Sequence, residues 1–132
     1  MRSRRFSALA AVMLVLAACG GHAAADDQAF HRVASAGQAG AEVVFDATVL
    51  SEPAQVGDHE HLEVRATTGE TLEVDHNTSL APWVPAHTGD QVVIAGQFYD
   101  DSGAEGVHCT HAHTSNGCPY PGFIELGTNY YD

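Results

Sequence analysis

The sequence predicts an all-β fold: a small five- to six-stranded OB-like barrel that follows an export signal and a short tether. Three observations carry this expectation. From Ala41 onward apolar residues alternate with polar ones at period two, the spacing of half-buried strands. The alternating runs are short and end at turn residues such as Thr67-Thr68-Gly69 and Asp100 to Gly103. Pro82, Trp83 and Pro85 interrupt the pattern after the third run, leaving one irregular crossover.

The chain begins with Arg2, Arg4 and Arg5, then the apolar run Phe6 to Leu16, then Leu16-Ala17-Ala18-Cys19. A basic start, a short apolar centre and small residues before the cut form a secretory signal, and the run is too short for a membrane span. Ser3-Arg4-Arg5-Phe6 also fits a twin-arginine pattern, although a plain basic start suffices. The Leu-Ala-Ala-Cys box resembles that of bacterial lipoproteins. The resemblance implies cleavage before Cys19 and a lipid on its sulfur, which would anchor the exported protein to a membrane of the cell envelope. Each buried CH₂ of such a lipid contributes roughly 0.8 kcal/mol. Gly20 follows the cysteine, where Asp is often linked to inner-membrane retention.

Three segments are expected: the signal at 1–18, a tether with a short helix at 19–40, and the barrel at 41–132. All 17 acidic residues follow residue 18, against Arg32 and Arg65 and no lysine, so the mature chain carries a formal charge of −15. Phosphate backbones are bound by Lys and Arg, so no nucleic acid is expected as a partner. Metal ions, cationic peptides or small cationic ligands suit the surface better. Protonating all nine histidines would move the charge to −6, which makes binding and solubility pH-dependent between about 5 and 7.

Asp26-Asp27 is placed to cap a short helix through Phe30 to Ala34. Val43, Phe45, Ala47 and Val49 define the inward face of the first strand, and Gln55 to Asp58 reads as a loop. Leu62, Val64 and Ala66, then Leu72 and Val74, form a hairpin that leaves Glu63 and Glu73 on solvent faces. Val92, Ile94 and Phe98 mark the next strand, Glu105 to Thr110 a shorter one, and Phe123 to Tyr131 one further pairing.

The barrel gathers the histidines. His59 and His61 are two apart, so both emerge on one face of their strand, opposite Leu62 and Val64 in parity. His76 follows Leu72 and Val74 in the inward register and points toward a barrel end. His108 and His111 share a site only if the chain bends near Thr110. The candidate ligand or metal residues are therefore His59, His76, His108 and His111, with zinc or copper as the divalent metal. A histidine at a strand end is equally a common hydrogen-bonded structural residue, and Asp75 or Asn77 would satisfy His76. Cys109 and Cys118 form an even pair in an oxidising compartment around the turn sequence Ser115-Asn116-Gly117, which predicts a disulfide. Two thiolate metal ligands are the rival reading.

His76-Asn77-x-x-Leu80-Ala81-Pro82, Gly89-Asp90-x-Val92, Gly96-x-Phe98-Tyr99 and Val107-His108-Cys109-Thr110-His111 occur in this order. Together they resemble a family of small exported bacterial proteins of unknown function, over about residues 41–131. The resemblance matches His59 and Gly122-Phe123-Ile124 to family positions and implies an OB-like barrel and export. It brings no established activity. Cys109 stands where the family has Trp, and Cys118 falls near a family His. This departure fits a disulfide that replaces an aromatic contact.

The function expected is a non-enzymatic, lipid-anchored binding module with a His-rich barrel mouth. Two alternatives stand beside it. One is a metal-dependent hydrolase, with a His-bound ion activating water and Asp75 as base. The other is a purely structural role for the histidines.

Overall fold

A computed structural model describes residues 21–132. The signal and Cys19 lie outside the described residues. Eight strands form one sheet: β1 (Glu42–Val49), β2 (Ala54–Val56), β3 (His59–Ala66), β4 (Thr71–Asn77), β5 (Gln91–Asp101), β6 (Ala104–His108), β7 (Phe123–Leu126) and β8 (Asn129–Tyr131). Five of them close on themselves in the order β1-β3-β4-β6-β5, with β5 pairing back to β1. The β4–β6 pairing is parallel and the others are antiparallel. This is the order of an OB barrel, and closure removes the exposed edges that an open sheet would present.

The period-two pattern divides the side chains as expected. Phe45, Val49, Leu62, Val64, Val74, Ile94, Phe98 and Val107 are almost wholly inaccessible and fill the barrel. Long β5 serves two partners on one edge, β7 through Val92 to Ala95 and β6 through Gln97 to Asp101. The crossover from Thr78 to Asp90 forms turns and extended chain, and its Val84 and Ala86 join the core.

Four features differ from the sequence expectation, each for a local reason. The helix, α1, is longer, Asp27–Ala36, and it belongs to the core. Asp26 caps it by accepting from the Ala29 amide, and its Phe30 stacks on Phe45 with ring centroids 3.9 Å apart. Gln55 and Val56, from the stretch expected as loop, join Ala54 in β2 against the start of β3. All three are exposed, so no apolar alternation marks them. The tail supplies two strands because Gly127, at φ +64°, turns β7 into β8. Finally, β6 stops at His108, because Cys109 adopts φ +57°. The Cys109–Cys118 disulfide is present, with Cα atoms 5.4 Å apart.

If α1 is part of the core, Phe30→Ala should cost about 3–5 kcal/mol, the range for deleting a buried phenyl ring. Urea denaturation checks this; a loss below about 1 kcal/mol would mean that the helix merely rests on the barrel.

Candidate functional site

The hairpin register places polar side chains in rows on the outer barrel wall. His61 pairs with Asp75, Glu63 with Glu73, and His59 with Asn77. Across the parallel step Glu73 faces Gly106, which in turn faces Tyr99, and His108 faces Gln97. One outward patch therefore carries His59, His61, Glu73, Asp75, Tyr99 and His108.

Gly106 makes the patch possible. A Cβ there would lie 2.2 Å from both Cζ and the hydroxyl of Tyr99, so only glycine lets the phenol lie across β6. Thus placed, Tyr99 donates to Asp75 Oδ2 at 2.7 Å. Burial, followed by the hydrogen bond and charge of Asp75, pushes the phenol pKa up, so Tyr99 stays a donor.

His61 lies between two carboxylates, with Nδ1 3.4 Å from Glu73 Oε1 and Nε2 3.1 Å from Asp75 Oδ1. The second contact is close enough for an ion pair but too poorly aligned for a hydrogen bond. Asp75 Oδ1 is inaccessible to water and has no hydrogen-bond partner. Glu73 is held above the usual carboxylate range, first by the Asp75 carboxyl beside it and then by burial. His61, Glu73 and Asp75 each offer one ligand atom, all within 4.8 Å of one another.

The inner face carries a second polar group. His76 is fully buried and spends both nitrogens. Nε2–H donates to the Pro82 carbonyl at 2.9 Å, and Nδ1 accepts from the Thr110 hydroxyl at 2.8 Å. Burial is the main cause that pushes its pKa down, so the ring stays neutral. Its direct cross-strand partner is Glu60, also fully buried. Glu60 Oε2 accepts from the Val84 amide at 2.7 Å, while Oε1 has no partner. Glu60 and His76 together hold the crossover over the barrel end.

The four expected histidines divide between the two faces: His59 and His108 are half-buried on the outer wall, while His76 and His111 are buried. His59 and His111 are close enough to both His76 and His108 to oppose a positive charge on either. The bend required for His108 and His111 exists, one residue earlier than expected, at Cys109. His111 is buried and donates Nδ1–H to the His113 carbonyl at 2.7 Å. His108 Nε2 lies 2.9 Å from Gln97 Oε1, and burial pushes its pKa down. His59 lies 6.5 Å, ring to ring, from His61. Among the described residues, however, the trio able to share one ion is His61, Glu73 and Asp75.

Two signals for the missed residues were present in the sequence. The turn centred on Thr68 sets the hairpin register, which puts Asp75 opposite His61. Glu60 has the same parity as Leu62 and Val64, so it had to point inward.

Burial raises the Glu60 pKa from 4.5 to about 7. A raised acid contributes stability that is present below pH 4.5 and lost as pH rises through 7. Glu60→Gln keeps the acceptor for Val84 and cannot ionise. The variant should melt close to the parent at pH 4.5 and exceed it at pH 8 by on the order of 3 kcal/mol. Thermal melts at both pH values check this, and an equal offset at both would contradict it.

No curated protein and no solved structure matches the chain. A family model does, and it bears out the expected membership of a family without assigned function. The model described as Protein of unknown function (DUF3465) matches residues 12–131, and the chain belongs to that family.

Proposed function

We propose that this protein is an exported, lipid-anchored binding module, not an enzyme, that holds a divalent metal ion on its outer barrel wall. The observation that carries the reading is the convergence of His61, Glu73 and Asp75, one ligand atom each within 4.8 Å, around Asp75 Oδ1, which is inaccessible to water and accepts no hydrogen bond. Two carboxylates and a neutral imidazole match the charge of a divalent cation. The imidazole nitrogen favours zinc or copper over the all-oxygen ions. Tyr99 supports the site by orienting Asp75, as outer-shell donors orient metal-binding carboxylates. His59 and His108 flank the site on neighbouring positions of the same wall. His76 belongs to the scaffold in this reading, because both of its nitrogens are already occupied. The strongly acidic surface would draw cations toward the site. The Leu16-Ala17-Ala18-Cys19 box supplies the anchor.

Zinc or copper titrated into the untagged chain from Gly20 onward should bind one ion per chain and raise the melting temperature. His61→Ala or Asp75→Asn should abolish the shift, and Tyr99→Phe should weaken binding by about tenfold. His76→Ala should lower the melting temperature without removing the ion. Affinity should fall as the pH is lowered, because protons compete with the metal for its ligand atoms. Failure of either metal to bind would exclude this reading.

A further inference from the structure

The face opposite the metal-binding wall has its own construction. Val44 and Ala95 pair across the β1–β5 seam with their side chains outward. Together with Gly21, Ala23, Pro121 and Phe123 they line a mainly apolar cleft of about 760 Å³. Two tyrosines stand beside it, Tyr120 58% exposed and Tyr130 41% exposed. The N-terminal segment is fastened into this region. The His22 ring stacks on Tyr130 at 3.6 Å, and its Nε2 lies 2.7 Å from Asp132 Oδ2. Its edge also meets Phe123 at 4.7 Å.

The covalent chain supplies the scale. Cys19 is two residues from Gly21, and two residues span at most about 7 Å. A lipid on Cys19 therefore leaves almost no free tether between the membrane and the cleft. Tyrosine, with an apolar ring and a polar tip, is a residue suited to the headgroup level of a bilayer. The charged groups lining the cleft are Glu42, whose pKa burial pushes up, and Asp132, paired with His22.

We infer that this cleft face, marked by Tyr120 and Tyr130, rests on the surface of the phospholipid bilayer that carries the lipid of Cys19. The inference relies on the lipid-anchor reading given above. It has a geometric consequence. In the barrel order β1-β3-β4-β6-β5, strand β4 stands across from the β1–β5 seam. Docking by the seam therefore turns Glu73 and Asp75 away from the membrane, into solution. The anchor is required, because a body of charge −15 is repelled by anionic headgroups. Tethering within a few ångströms overcomes this through effective concentration.

The test uses the mature lipidated chain, reconstituted into phosphatidylcholine vesicles that contain brominated lipids. Trp83 is the single tryptophan, so Trp83→Phe provides a silent background. Tyr120→Trp reports on the cleft face, and Glu63→Trp reports on exposed β3, on the metal-binding wall. The expected result is that the vesicles carry the chain on flotation and that bromine quenches the Tyr120→Trp reporter several-fold more than the Glu63→Trp reporter. A chain that fails to float overturns the anchor and the docking together. A chain that floats with equal quenching at both positions, or stronger quenching at 63, overturns the docking alone.

Discussion

Closure of the barrel by the β1–β5 pairing is the constraint on which the rest of the structure depends. Seven consecutive partners, from Glu42↔Gln97 to Thr48↔Gln91, join the first strand to the fourth barrel strand. Once the sheet is closed, every residue has a fixed inside or outside address, and a shift of one residue would exchange the two sets. Phe45, Ile94 and Phe98 then fill the interior, while Val44 and Ala95 are forced outward at the seam. Close approach has to be allowed where the strands converge. A Cβ on Gly96 would lie 2.3 Å from the His108 carbonyl oxygen, so a side chain there would push β6 away from β5. Gly96 and Gly106 are thus needed for different reasons, one for backbone contact and one for the ring of Tyr99.

A closed barrel of this size also needs its end sealed, and here the seal is polar. Burying Glu60 and His76 opposite one another is costly unless each finds partners. Most of the capacity is met by the crossover itself, through the Val84 amide and the Pro82 carbonyl, and by Thr110. The segment has two prolines and no regular ladder: backbone bonds to Asp58 and Val49 tie its two ends, and side chains from the barrel hold its middle. The arrangement titrates in opposing directions. Raising the pH charges Glu60, and lowering it charges His76, so the seal is best satisfied between the two transitions.

The barrel, the hairpin, the inward direction of His76 and the disulfide were legible in the sequence, because period two and turn residues encode them directly. Less of the site was legible. Glu60 occupies an apolar slot in the alternation, but glutamate is so often a surface residue that parity alone does not mark it as buried. Glu73 and Asp75 likewise read as ordinary solvated carboxylates within their own strand, and only the hairpin register brings both beside His61. Tyr99 reaches Asp75 only because a glycine from a third strand lies beneath it, and periodicity within one strand cannot convey that. His22 finds its partner 110 residues away at Asp132, a contact fixed only by the closed fold.

The turn at Cys109 shows how a local irregularity serves both faces of the barrel. A non-glycine residue in the left-handed region costs roughly 1–2 kcal/mol. Here three restraints over-determine it. Its sulfur is bonded to Cys118, its carbonyl is crowded by Gly122, where a Cβ would lie 2.1 Å away, and the Gly122 amide donates to the His111 carbonyl at 2.8 Å. Without the turn, continued alternation would direct His108 and Thr110 to the same side of β6. With it, His108 stays on the outer wall beside Tyr99, while Thr110 is fully buried and reaches His76. The disulfide therefore acts at the junction between the two polar groups, holding one strand end in a conformation that supports the outer wall and the inner seal at once.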